Sequence, residues 1–150
     1  MPTLEPGSEV ALLVRVLAAG ALSGLLGWER EWAHKPAGLR THVIVGIASA
    51  LFTVLGELSV QNYPLEEGYL RPDPIRVIQA VAIGIGFLGS GIIFVAEGPK
   101  RVLGLTTAAS IWATAAVGVA AGLGRYVIAA GSTLLLLVVL HALPRFRDED

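Results

Sequence analysis

Five apolar stretches dominate the chain: Val10–Trp28, Val43–Val60, Ile75–Ala96, Leu105–Leu123 and Tyr126–Leu143, each 18 to 22 residues long. As a helix, a stretch of that length crosses about 30 Å, the thickness of bilayer hydrocarbon. In lipid every backbone N–H and C=O must find its partner internally, which favours the helix for a continuous apolar run. The expected fold is therefore all-α, a polytopic transmembrane bundle of about five helices that forms one domain over residues 1–150. Charge supports this. Only 15% of residues are charged and the mean hydropathy is +0.69, whereas a soluble domain carries about 25% charged residues. The net charge of −1 gives no reason to expect nucleic acid as a partner. The absence of cysteine excludes disulfides, zinc–thiolate sites and thiol catalysis.

The connectors read as loops. Glu29–His42 holds the breakers Pro36 and Gly38, Gln61–Pro74 holds three prolines, and Glu97–Gly104 contains a Gly-Pro turn with two basic residues. Gly122–Arg125 is so short that the fourth and fifth helices are predicted to form an antiparallel hairpin. No internal repeat or second domain is evident. Arg30, Lys35, Arg40, Lys100, Arg101, Arg145 and Arg147 collect on one side of the predicted bundle, and only Arg71, Arg76 and Arg125 on the other. The positive-inside rule then puts the first group in the cytoplasm, the N-terminus outside and the C-terminus inside. The N-terminal flank has Glu5 and Glu9 and no basic residue. A secretory signal needs a positive flank there, so the first apolar segment is expected to stay in the mature protein.

Small residues set the expected packing. Helices in lipid lack a hydrophobic drive to associate, and close backbone approach supplies much of the attraction. Gly20 and Gly24 form a GxxxG, with Ala19, Ser23 and Gly27 as a second row. In the fourth stretch Thr106, Ser110, Thr114, Gly118 and Gly122 recur every four residues, and Thr107 adds a further hydroxyl. That row serves either helix packing or a polar path for a solute. Exposed GxxxG faces on so small a bundle also predict a homodimer.

The stretch GIGFLGSG, Gly84–Gly91, matches the dinucleotide fingerprint G-x-G-x-x-G. That fingerprint requires a strand before the glycines and an acidic residue about twenty positions on. Here the glycines sit inside an apolar run, and the region twenty positions on reads LTTAASIW. At 100° per residue Gly86, Gly89 and Ser90 share one face and Gly84 and Gly91 lie opposite. The helix is thus thin on two sides, fit for two close neighbours. Each glycine is about 1 kcal/mol worse than alanine in a helix, so a kink or an unwound ion site is the alternative.

Charges inside a span mark function or a partner. Arg15 and Glu57 qualify, and at comparable depth they are predicted either to pair or to snorkel; Arg76 is a second candidate for Glu57. With Glu57 the one carboxylate inside a span, and His34, His42 and His141 scattered, no metal site, catalytic residue or cofactor is expected. Trp28 and Trp32 share a helical face at headgroup level. Glu29, Arg30, Glu31, Lys35 and Arg40 crowd the first connector, with Glu97, Lys100 and Arg101 on the same side. These charges either lock the two connectors together or dock a partner or lipid headgroups.

The segments GLLGWEREWAHKPAGLRTH, DPIRV, GIGFLGSGIIF and GLTTAASIWATAAVGVAAGLGRY stand in that order. Together they resemble the membrane domain of the MgtC/SapB family, over about residues 12 to 140. The resemblance implies a bacterial inner-membrane protein of about five helices. It identifies as motif residues Glu29, Arg30, Pro36, Ala37, Gly38, Leu39, Arg40 and Thr41; then Asp73, Pro74 and Arg76; then Gly84, Gly86, Gly89 and Gly91; then Gly104, Leu105, Thr106, Thr107, Ala108 and Trp112. It further implies a non-enzymatic protein linked to magnesium limitation and virulence. Such a protein acts on membrane partners such as a P-type cation ATPase or the F-type ATP synthase. An older reading of the family is a transporter for Mg²⁺ or another small ion. Longer members carry a soluble C-terminal domain, which this chain is expected to lack.

Overall fold

The computed structural model describes residues 6–62, 73–95 and 102–142. Among them five helices follow in order: α1 Pro6–Trp32, α2 Leu39–Asn62, α3 Pro74–Ser90, α4 Leu105–Gly122 and α5 Tyr126–Ala142. A short antiparallel hairpin, β1 Phe94–Val95 with β2 Val102–Leu103, lies between α3 and α4, with Phe94 opposite Leu103. The all-α bundle expected from the apolar stretches is present. Three helices are long and apolar enough to cross a membrane: Ser8–Trp32, Leu39–Ser59 and Leu105–Gly122. The apolar helices Ile75–Ser90 and Tyr126–Ala142 are shorter.

Several boundaries differ from expectation. The first stretch was expected to end at Trp28, but α1 runs on to Trp32. Glu29, Arg30 and Glu31 are good helix formers, and the helix closes one turn later. There His34 takes φ 53 and the Lys35 N–H donates to the Arg30 carbonyl at 3.0 Å, a Schellman-type end. On the other side of the connector α2 starts already at Leu39, so only residues 33–38 are non-helical. The third stretch was expected to reach Ala96. It stops at Ser90, because Gly91 caps the helix and the chain turns into β1. Gly104 then starts α4 with φ 83, and a Cβ there would overlap the Ile92 carbonyl, so glycine is required twice over. The Glu97–Arg101 part of the hairpin connector, most of Gln61–Pro74 and the tail beyond Ala142 lie outside the described residues.

The start of α3 shows how local sequence sets an element. Asp73 is the N-cap, its side chain accepts the Ile75 N–H at 3.0 Å, and Pro74 occupies the first turn. A carboxylate satisfies an orphan donor there, and proline loses nothing where no partner exists.

Helix α4 is the centre, in contact with each of the other four helices. Its interior face is built of small residues. A Cβ on Gly118 would stand 2.6 Å from the Gly46 carbonyl oxygen, and one on Gly122 would stand 2.9 Å from the Ala50 Cα. A Cβ on Gly46 would overlap Ser23 Oγ. Helices α1, α2 and α4 therefore touch backbone to backbone. Around this contact Ala19, Leu26, Ala50, Val117, Ala121, Ala129 and Leu140 form one apolar cluster, and Ala37, Val45, Ile111 and Ala115 another. Gly20 and Gly24, expected to be free for a second copy, are covered within the chain by Ile47 and Val43 of α2.

Helix α3 is peripheral, resting on α4 and α2. The expectation that its glycines admit neighbours on two sides is not met. Nothing lies within 4 Å of a Cβ placed on Gly84 or Gly86, whereas one on Gly89 meets Ala108 at 3.6 Å. The helix nevertheless runs unbroken from Pro74 to Ser90. Gly86→Ala is therefore expected to leave stability unchanged or raise it by up to about 1 kcal/mol. Gly118→Ala should lower it by about 1–3 kcal/mol, because the methyl must displace backbone. Thermal unfolding of the detergent-solubilised protein, followed by circular dichroism, reads both. Equal effects at the two positions would refute the backbone contact at Gly118.

Candidate functional site

The residues singled out in the first connector converge at one end of the bundle, around Arg30. Its side chain is 3% exposed although it stands in the last turn of a helix. It donates through Nε to Glu29 Oε2 and through Nη2 to Glu29 Oε1 at 2.6 Å. The same Nη2 approaches the Leu140 carbonyl oxygen at 3.4 Å. That carbonyl belongs to the last turn of α5, where helical partners run out. One guanidinium thus neutralises a half-buried carboxylate and satisfies the end of a distant helix.

Glu31 has a separate task. Its Oε2 accepts the Leu39 N–H at 2.8 Å, which caps the start of α2 from the end of α1. Gly38 makes room for it, since a Cβ there would stand 2.8 Å from Glu31 Oε2. Ala37 is buried against the bundle, while Pro36, Arg40 and Thr41 are exposed. The connector is therefore a structural clasp at Glu29, Arg30, Glu31, Ala37 and Gly38, with an outward surface at Pro36, Arg40 and Thr41.

Sequence reasoning overlooked His42, which is 0% exposed. Its Nδ1 lies 3.0 Å from the Gly38 carbonyl oxygen and its Nε2 lies 3.3 Å from Ser110 Oγ. A carbonyl only accepts, so Nδ1 carries a proton. Ser110 Oγ in turn donates to the Thr107 carbonyl at 2.8 Å. The signal was helical spacing: His42, Val45, Gly46, Ser49, Ala50 and Thr53 mark the buried face of α2 once the helix begins at Leu39. Ser110 is buried and the ring leans on a backbone carbonyl, so no Ser-His-carboxylate relay forms here.

The residues of the polar row of α4 differ in burial. Thr107, Ser110, Thr114, Gly118 and Gly122 are buried, but Thr106 is exposed and falls off the row. Trp112 is exposed as well. Thr114 donates to the Ser110 carbonyl at 2.8 Å and Thr53 to the Ser49 carbonyl at 2.8 Å, so these hydroxyls are spent on their own helices. Ser23 Oγ is the exception, buried with no hydrogen-bond partner among the described residues.

At the opposite end Arg15 and Glu57 pair, Nη1 to Oε2 at 2.7 Å. Arg15 also donates to the Gly122 carbonyl at 3.2 Å, at the last turn of α4. Arg76, the other candidate partner for Glu57, is exposed and lines a groove between α2 and α3 instead. In the third motif Gly84 lines the same groove, Gly86 faces open space, Ser90 Oγ donates to the Phe87 carbonyl at 2.7 Å, and Gly91 is the C-cap. Among the described residues no three His, Asp or Glu side chains gather as a metal-holding group.

On the outer surface near Arg30, Trp28 and Trp32 are 69% and 73% exposed. Trp32 borders two shallow hollows. One, of about 370 Å³, is shared with Trp28, Glu31, His34 and Leu39. The other, of about 490 Å³, involves Glu29, Arg30, Lys35 and His141.

A family model for the MgtC family matches residues 16–148. The chain belongs to the MgtC family. It is 40% identical over 134 residues to a protein of Escherichia coli strain K12 named "Putative magnesium transporter YhiD", covering 87% of this chain and 61% of the relative. It is 43% identical over 123 residues to Protein MgtC of Brucella abortus strain 2308, covering 81% of this chain and 47% of the relative. To Protein SapB of Bacillus subtilis strain 168 it is 32% identical over 133 residues, covering 89% and 56%. No solved structure matches the chain. The chain thus spans about half to three-fifths of the length of these relatives. Fold and family together make it a membrane protein whose motif residues divide between a clasp, a helix cap, a packing row and exposed positions.

Arg30→Ala leaves Glu29 unpaired where it is only 16% exposed, and is expected to cost about 3–5 kcal/mol. Arg30→Lys keeps the charge without the fork and should lose less. Chemical unfolding in detergent measures both, and a wild-type midpoint for Arg30→Ala would refute the clasp. A double-mutant cycle on Arg15 and Glu57, 25% and 34% exposed, should give a coupling of about 1 kcal/mol; zero coupling would reduce the pair to two independent surface charges.

Proposed function

We propose that this MgtC-family protein is a non-enzymatic inner-membrane regulator that acts by contact with other membrane proteins during magnesium limitation and related stress. The observation that carries this reading is the closed interior. Along the row that a solute path would use, Ser110 and Thr114 are buried, and α2 lies so close to Gly118 and Gly122 that a Cβ on either would stand within about 3 Å of Gly46 or Ala50. The second route considered, a glycine-broken third helix, loses its basis because α3 is continuous and the groove beside Gly84 is lined almost wholly by hydrocarbon. Dehydrating Mg²⁺ takes several oxygen ligands in octahedral geometry, and hydrocarbon offers none.

The surface for contact is the Arg30 end. Exposed tryptophans supply the aromatic area in which protein interfaces are enriched, with Glu31, His34 and Lys35 beside them as a polar rim. In this reading that end is cytoplasmic, following the excess of Lys and Arg on its side. The partner is a membrane protein of the kind the resemblance implies, a P-type cation ATPase or the F-type ATP synthase. A homodimer fits the same reading, with its interface on outer faces other than Gly20 and Gly24, which α2 occupies.

The competing reading is transport, and it is favoured by the name of the Escherichia coli relative. Purified protein in liposomes with an internal Mg²⁺ reporter separates the two. The regulator gives no uptake above empty vesicles. Saturable uptake by the wild-type protein would overturn the regulator.

A further inference from the structure

The groove between α2 and α3 has a volume of about 770 Å³, within the range of about 300–1,000 Å³ typical of small-molecule sites. Its shape follows from where glycine permits contact. Near one end the two helices meet, where a Cβ on Gly56 would stand 2.7 Å from Val77 Cγ2. From there they separate, because the other end of α3 leans on α4 through Gly89 and Ala108 rather than on α2. Between these points the groove lies open at Gly84, where a Cβ would meet nothing within 4 Å. The α3 wall repeats at helical spacing, Val77, Ala80, Val81, Gly84, Ile85 and Leu88. Across it stand Ile44, Ala48, Phe52 and Leu55 of α2.

A single cation marks this lining. Arg76 sits in the first turn of α3, is exposed, and borders the groove where the helices converge. Among the described residues the ion pairs are Arg15–Glu57 and Arg30–Glu29, so no carboxylate there neutralises Arg76. Asp73 caps the helix through Oδ1 on the Ile75 N–H and makes no ion pair with Arg76, and the Ser59 hydroxyl donates to the Leu55 carbonyl. The positive end of the α3 dipole adds to the same field.

We infer that this groove is a phospholipid site: one acyl chain lies along α3 from Val77 to Leu88, and the phosphate is held by Arg76. The length fits. Arg76 and Leu88 are separated by about 18 Å at about 1.5 Å per residue, close to the hydrocarbon of one leaflet, about 15 Å. The charge fits, since an otherwise unpaired guanidinium prefers a phosphate and can hold it bidentately. A packed helix from a second copy or another protein would need to bring its own anion to Arg76, whereas anionic headgroups lie at the membrane surface already. The site is independent of whether the protein regulates or transports.

Native mass spectrometry of the purified full chain, titrated with phosphatidylglycerol, tests this. The wild-type protein should retain one lipid through detergent removal. Arg76→Gln should weaken retention about five-fold, the factor that corresponds to about 1 kcal/mol per basic side chain near an anionic headgroup. Gly84→Leu, whose side chain enters open space inside the groove, should abolish retention. Circular-dichroism melts of both variants should match the wild type, which separates loss of the site from loss of the fold. Unchanged retention in both variants overturns the proposal. Retention lost in Gly84→Leu but unchanged in Arg76→Gln overturns the headgroup assignment. A homodimer that dissociates in Gly84→Leu with the lipid count unchanged would give the groove to a second copy instead.

Discussion

Everything in this bundle depends on the close approach of α1, α2 and α4. In lipid, apolar side chains gain nothing by leaving one hydrocarbon for another, so association rests on packing and on polar contacts between helices. The chain answers with glycine, alanine and serine at every point of closest approach: Ser23 and Gly27 on α1, Gly46 and Ala50 on α2, Gly118 and Gly122 on α4. The fully buried side chains are correspondingly modest, with Leu26 and Ile111 the largest. Backbone dispersion over this length replaces the large apolar side chains that fill a soluble core. The bulky residues are displaced outward, to Leu17, Phe52, Phe87 and Leu135, where hydrocarbon costs them nothing.

The two arginines complete what packing cannot. A helix end leaves carbonyls without partners, and an unsatisfied carbonyl away from water is expensive. Arg15 serves the end of α4 at Gly122 and Arg30 the end of α5 at Leu140. Each guanidinium is in turn balanced by one carboxylate, Glu57 and Glu29. The same device therefore appears at both ends of the bundle, with the helix partners changed. It explains why two of the most hydrophilic residues sit among apolar neighbours. Their fork geometry lets one side chain meet a carboxylate and a carbonyl together, which an ammonium on a flexible stem does less well.

Much of this was legible in the sequence, and the exceptions have physical causes. Segment length and hydropathy gave five helices and the α4–α5 hairpin, and the four-residue spacing of Ser110, Thr114, Gly118 and Gly122 gave the packing row. Depth offered the Arg15–Glu57 pair as one alternative beside snorkelling and a Glu57–Arg76 contact, and the structure contains the first. Boundaries were not, because Glu29–Trp32 and Leu39–His42 are polar enough to read as loop while their hydrogen bonds are met inside the protein. His42 was missed for the same reason: a polar residue in an assumed loop says nothing, whereas in the first turn of α2 it falls on the buried face. The clasp at Glu31 and Gly38 was not legible, with Gly38 noted as a motif residue and Glu31 only as one of several crowded charges, since no local rule says that a carboxylate at the end of one helix caps the next.

The glycines of α3 show most clearly what a sequence pattern leaves open. Glycine permits a neighbour to approach but does not supply one. Gly89 has that neighbour in Ala108, whereas Gly84 has none, although both stand in the same short motif. The difference lies elsewhere in the fold, in Gly56, which lets Val77 and α2 meet at one end and so fixes the angle at which α3 departs. Three glycines in one apolar helix, Gly84, Gly86 and Gly89, cost helix propensity, about 1 kcal/mol each against alanine. At Gly89 the contact with Ala108, where a Cβ would stand at an ordinary 3.6 Å, offsets little of that cost. At Gly84 no protein contact offsets any of it, and the missing side chain keeps the α2–α3 groove open along its middle. No described side chain fills that groove at Gly84, which leaves it open to the hydrocarbon and headgroups that surround the bundle.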